Sequence, residues 1–268
     1  MDNEKISAAL LDIAETELAF TIIQSGKASK KVNGLYKLDT HEIILHNKNF
    51  KSDNALMYTA IQEYAHHLIA EETLRATGVP AVSSRVHTQR FWERFAGLLE
   101  TAEKKGYYVI GLEKSPELEQ LTDEIKKKYL TENGRLMYEF GKALARAFDL
   151  CEQADIRYED YVDRVLGLPR TAAHDILELS AVHVNPAIGY ENMKTVAKIR
   201  NPEQRATAEA GFLRGKSPDA VRAGLKKSTA IEKGDVKAQL QKEKNRLEKT
   251  IASLAARLEA VEERLARL

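Results

Sequence analysis

Helix breakers fall at short intervals through the second half of this 268-residue chain, and they limit what it can build. Gly134, Gly167, Gly189 and Gly215, with Pro169, Pro186, Pro202 and Pro218, cut that half into short helices. Ser115-Pro116, Asn201-Pro202 and Ser217-Pro218 each read as a capping residue followed by proline at the first helical position. Glu117 and Glu119 then place negative charge where the helix dipole favours it. Short helices joined by tight turns are the texture of a small helical binding domain.

The first half reads differently. Ile6, Leu10, Ile13, Leu18 and Ile22 recur at helical spacing, which predicts a helix over residues 3–24. Residues 34–46 alternate like a β-hairpin turning at Asp39-Thr40. A helix follows from Asp53, as N-cap, to Arg75, and Gly78 and Pro80 break it. Another runs from His87 to just before Gly106, and the YYVIGL segment after it reads as extended. The fold class is therefore α+β, mostly α.

The last residues change texture again. Leu240, Lys244, Leu247, Ile251, Leu254, Leu258, Val261, Leu265 and Leu268 keep a four-three spacing with charged flanks. That is a heptad seam with one polar position, and it predicts self-association through a coiled coil. The other reading is an amphipathic helix packed on its own domain. The division expected is 1–112, 113–228, and 229–268 as linker and coiled coil.

Composition sets bounds. Lys and Arg total 41 against 40 Asp and Glu, so any nucleic-acid contact must come from a local patch. The single cysteine, Cys151, excludes an intrachain disulfide and a cysteine-rich zinc site, and fits a reducing compartment. No apolar run reaches the ~18 residues of a spanning helix. The acidic start MDNEKISAAL lacks the features of a signal peptide. A cytoplasmic location with no membrane partner is expected.

Within the helix at 53–75 stands Gln62-Glu63-Tyr64-Ala65-His66-His67. Residues three and four apart share a helix face, so Gln62, Glu63 and His66 are neighbours. A His-Glu-x-x-His helix presents two imidazoles to zinc and a glutamate as general base. Here the first imidazole is replaced by a neutral amide, a poor zinc donor. His87 opens the run HTQRFW further on. His67 points about 100° away around the helix, and His41 and His46 read as solvent-facing hairpin residues.

With the hairpin ending HEIILHNKNF, the DNALMYTAIQEYAHHL helix and HTQRFW, residues 30–105 resemble the SprT-like zinc metallopeptidases. More loosely they resemble the ImmA/IrrE-type peptidases, in which the third ligand would fall to Glu93. The SprT-like resemblance, which the HTQRFW run favours, implies His66 and His87 as metal ligands, Glu63 as general base, and Gln62 at a degenerate ligand position. It implies a zincin-like fold with weak or absent zinc. A pair of merely structural helix histidines is the alternative.

Residues 157–182 hold a helix ending at Gly167, a tight turn, and a second helix from about Pro169 to Ala181. That is the layout of a helix-turn-helix DNA reader. The stretch from Tyr138 to Leu225 resembles the DNA-binding region of ParB/KorB-type proteins, on EFGKALARAFDL, GLPRTAAHDILELS and IGYENMKTVAKIRNPEQRATAEAGFLRGKSPDAVRAGL. The resemblance implies that Arg170, Thr171 and His174 approach the major groove and that Lys194, Lys198 and Arg200 contact phosphates. Between residues 157 and 227, 12 Lys and Arg face 9 Asp and Glu, a modest surplus. The expectation is a DNA-binding regulator or DNA-maintenance protein with a degenerate metallopeptidase-like domain. Its alternatives are an active zinc endopeptidase acting on DNA-associated proteins and a protein-interaction scaffold.

Overall fold

In the computed structural model the described residues are 1–78, 87–232 and isolated positions between 241 and 262. They are mostly helical with one small sheet, and the chain divides into Met1–Ala223 and Gly224–Leu268. No helix among them is long and apolar enough to cross a membrane.

Helix α1 is Asn3–Ile13, capped by Asp2, whose side chain accepts the Lys5 N–H. The helix expected over residues 3–24 stops there. Ala14 turns extended, and β-branched Ile22 and Ile23 lie in strand β1 (Thr21–Gln24), where they pair with Ile43 and Ile44. Strands β2 (Gly34–Lys37) and β3 (Glu42–Leu45) form the anticipated hairpin, with Leu35 opposite Ile44. β3 lies between the other two, parallel to β1 and antiparallel to β2.

The sheet lies against helix α2 (Asp53–Thr77). Its N-cap is Ser52 rather than Asp53, and left-handed Gly78 ends it. Helix α3 (Gln89–Lys104) is capped by Thr88, two residues later than expected. One apolar core joins these elements through Ile6, Leu10, Ile43, Leu45, Ile61, Tyr64, Leu68, Phe91 and Phe95. The segment after α3 forms no strand; the Asn54 side chain holds it, bonding both the N–H and C=O of Val109.

A polar cluster is sealed into the same region. Glu71 accepts hydrogen bonds from Thr16 Oγ1 (2.7 Å), from the Glu17 and Leu18 N–H groups and from Arg75. His67, fully buried, bonds Thr16, Tyr36 and the Leu18 carbonyl, and Tyr36 Oη lies 2.8 Å from His41 Nδ1. His41 and His46 are thus half-buried and hydrogen-bonded, His46 to Ser25, and neither faces solvent as the hairpin pattern suggested.

Helix α4 (Pro116–Glu124) runs without interruption through a π-helical segment, Ile125–Thr131, into α5 (Glu132–Gln153). Ser115 and Pro116 cap it as the sequence indicated. A single helical turn, α6 (Tyr158–Asp160), leads into a π-helical turn, Tyr161–Val165. Gly167 follows with φ +64°, and α7 (Arg170–Ser180) begins. Leu144, Val162, Ala173 and Ile176 form a second apolar cluster that packs this pair of helices on α5. A Cβ on Gly141 would stand 2.5 Å from the Ile176 carbonyl, so α5 and α7 touch only because that residue is glycine.

Helices α8 (Tyr190–Ala197), α9 (Pro202–Leu213) and α10 (Pro218–Glu232) follow, with the Asn201 and Ser217 side chains accepting first-turn N–H groups. Of the heptad positions, Leu240, Leu247, Val261, Leu265 and Leu268 lie outside the described residues. Lys244, Ile251, Leu254 and Leu258 are helical and exposed.

Candidate functional site

Helix α2 brings Gln62, Glu63 and His66 to the floor of a cleft of about 340 Å³. His87, placed just ahead of the Thr88 cap of α3, closes one side. Tyr58 and Thr59, one turn earlier on α2, and residues 32–35, which lead into and include the start of β2, complete its lining. The edge strand lies close to the helix there: a Cβ on Gly34 would meet Thr59 Cγ2 at 2.7 Å and Glu63 Cγ at 2.9 Å. All four residues read from the sequence as a metal-site pattern therefore line one cleft. His67 does not; it belongs to the buried cluster on another face of the helix.

His66 Nε2 and His87 Nε2 are 3.3 Å apart. The His66 ring stacks on Phe91 at 4.2 Å between centroids, and His87 lies 5.4 Å from the ring of Trp92. Burial, with the neighbouring His87 second, pushes the His66 pKa down to about 4, so the ring is a neutral donor at pH 7. Burial pushes Glu63 up to about 7, against the backbone N–H of Tyr36, which favours its carboxylate form. A carboxyl poised there can take or give a proton near neutrality.

Nitrogens about 2.05 Å from a tetrahedral zinc ion stand roughly 3.3 Å apart, so the two imidazoles have the separation such an ion needs. The same separation suits an N–H···N contact between neutral rings. The third donor does not fit. Gln62 offers only a neutral amide oxygen, and among the described residues it has no hydrogen-bond partner to orient it. Glu93, the ImmA/IrrE-type alternative, is buried beside Gln89 in α3 and does not line the cleft. The cleft thus holds two imidazole nitrogens at a zinc-compatible separation, a neutral amide in place of a third donor, and a carboxyl whose pKa burial raises to about 7.

In the helical half, Arg170, Thr171 and His174 are exposed on the first turns of α7. Arg170 is bonded to Asp163 at 2.8 Å. Lys198 pairs with Asp175 at 2.8 Å; Lys194 sits between Asp175 (3.8 Å) and Glu191 (3.0 Å). Arg200 is exposed. The two lysines expected at phosphates are thus turned toward a carboxylate of α7 itself, which holds the Asp175 pKa below its ordinary value. His174, Asp175 and Glu178 also bring ligand atoms together, but the Lys198 ammonium already occupies the approach to Asp175.

Among the cleft residues, Gly34, Tyr58 and Thr59 escaped the sequence reading. Thr59 and Tyr58 lie one helical turn before Glu63 and Gln62, a spacing that points to them once the site is placed. Gly34 gives no such signal, because the strand–helix approach that requires it is tertiary. Comparison with family models, with curated proteins and with solved structures returns no match to this chain.

Proposed function

We propose that this chain is a DNA-binding regulator or DNA-maintenance protein carrying a metallopeptidase-like domain of the zincin type whose zinc site is degenerate. The supporting observation is the convergence of His66 and His87, Nε2 to Nε2 at 3.3 Å, on a cleft that also holds buried Glu63 and the amide of Gln62. Two donors with zinc-compatible separation and a third of the wrong chemistry describe a site that has kept its frame and lost tight metal binding. Such a cleft serves as a recognition surface for a protein partner. The DNA-binding part of the reading rests on the Gly167 turn and the exposed start of α7, and self-association on the heptad seam. Buried, unpaired Cys151 suits the reducing cytoplasm, where this reading places the chain.

Metal content is the test. Purified full-length protein is expected to hold little zinc after dialysis, whereas Gln62→His should bind one equivalent orders of magnitude more tightly. Trp92 is the sole tryptophan and lies beside His87, so its emission should report zinc addition in the variant directly. Stoichiometric, chelator-resistant zinc in the unaltered protein would overturn the degenerate reading. Equal, negligible binding by both proteins would overturn the metal-site assignment.

A second reading is an active zinc endopeptidase acting on DNA-associated proteins. It is favoured by Glu63, whose elevated pKa suits a general base, and it requires the unaltered protein to retain zinc.

A further inference from the structure

Helix α4 buries none of its residues, yet it carries an apolar line. Leu118 and Leu121 are each 50% exposed, Ile125 41% and Tyr129 56%. The first three share one α-helical face. Tyr129 continues the line through the π-helical segment, whose wider turn still leaves residues four apart near one another. Large apolar side chains aligned in this way on a capped helix signal a covering surface.

The charges identify the occupant. Glu117, Glu119, Asp123 and Glu124 precede Ile125, and Lys126, Lys127 and Lys128 follow it. Among the described residues only Lys128 and Glu124 of this set form an ion pair, at 3.3 Å with both side chains at least half exposed. Such a pair is worth little and exchanges readily for another partner. A segment acidic in its first half and basic in its second repels a parallel copy of itself and attracts an antiparallel one.

We propose that residues 116–130 form a self-association surface, on which the same segment of a second copy lies antiparallel about a two-fold axis near residues 123 and 124. Leu118 then meets Tyr129 of the second copy, Leu121 meets Ile125, and Glu119 comes opposite Lys128. A two-fold contact is self-complementary in this way, each residue pair occurring twice. Two helices of this length hide less than the roughly 1,200 Å² of a stable interface. The contact is weak alone and gains strength when copies are tethered or concentrated. It shares no residue with the C-terminal heptads or with the cleft.

Positional cross-linking of the full chain tests it. Leu118→Cys/Tyr129→Cys is compared with each single variant under mild oxidation, with the unaltered protein as control because its one cysteine is buried. The two positions stand roughly 16 Å apart along one helix, so a chain cannot close the disulfide on itself. The double variant should give severalfold more disulfide-linked dimer than either single variant, and adding Leu121→Asp should abolish that excess. Circular dichroism of each variant should match that of the unaltered protein, since the substituted positions are exposed. Singles that cross-link as well as the double variant indicate parallel or random encounter and overturn the proposal. No cross-linking in any variant, or an excess indifferent to Leu121→Asp, overturns it equally. Because the comparison is by position, the outcome is independent of whether the heptads associate.

Discussion

Glu63 and His66 are displaced from ordinary ionisation by the same cause, burial, and in opposite directions. The folded state holds the Glu63 proton up to about pH 7, whereas an unfolded glutamate loses it near 4.5, so this residue makes stability fall as pH rises through that window. His66 stays neutral in the fold down to about pH 4, whereas an unfolded histidine protonates near 6.5, so it makes stability fall as pH drops from 6.5 toward 4. Between these limits the two slopes oppose one another. Glu63→Gln should unmask the histidine: the variant loses stability on acidification more steeply than the parent. At pH 8, with chelator present, it should gain up to about 3 kcal/mol relative to the parent. Denaturant unfolding at pH 5 and pH 8 measures this. An equal difference between the proteins at both values would show that Glu63 ionises normally.

Elements were legible where local chemistry decides them. Ser115-Pro116, Asn201-Pro202 and Ser217-Pro218 start helices because capping and a fixed proline φ need no distant partner. The hairpin at 34–46 and the turn at Gly167 were visible for the same reason. The error at residues 14–24 has a tertiary cause. Their apolar spacing suits a helix, but β3 offers Ile22 and Ile23 a parallel partner, and Glu71 takes the N–H groups of Glu17 and Leu18. The cleft residues Gln62, Glu63 and His66 were legible from helical spacing, and His87 from family resemblance rather than spacing. Gly34 and Gly141 were not singled out, because each is needed by an element distant in sequence, α2 in one case and α7 in the other.

At the scale of the whole molecule, the near balance of charge means that any DNA affinity would depend on which cations are free. Lys194 and Lys198 converge on Asp175. If these lysines reach phosphates, Asp175→Asn releases the Lys198 ammonium and leaves Lys194 with Glu191 alone, which strengthens binding to duplex DNA severalfold and steepens its salt dependence. Fluorescence anisotropy at two salt concentrations measures both effects. Unchanged affinity and slope would remove the lysines from the interface, and no binding by either protein at low salt would remove DNA from the functional reading. The carboxylate of Glu71 has a consequence of another kind. Its donors Thr16, Glu17 and Leu18 lie more than fifty residues earlier in the chain, so it closes a long loop with irregular backbone at one end. Releasing that end leaves a nearly buried charge with Arg75 as its one remaining donor, which links local opening to loss of the core. The amides of Glu17 and Leu18 should therefore exchange with solvent deuterium as slowly as those in the middle of α2, although no helix or strand contains them; fast exchange there would show that the loop opens by itself.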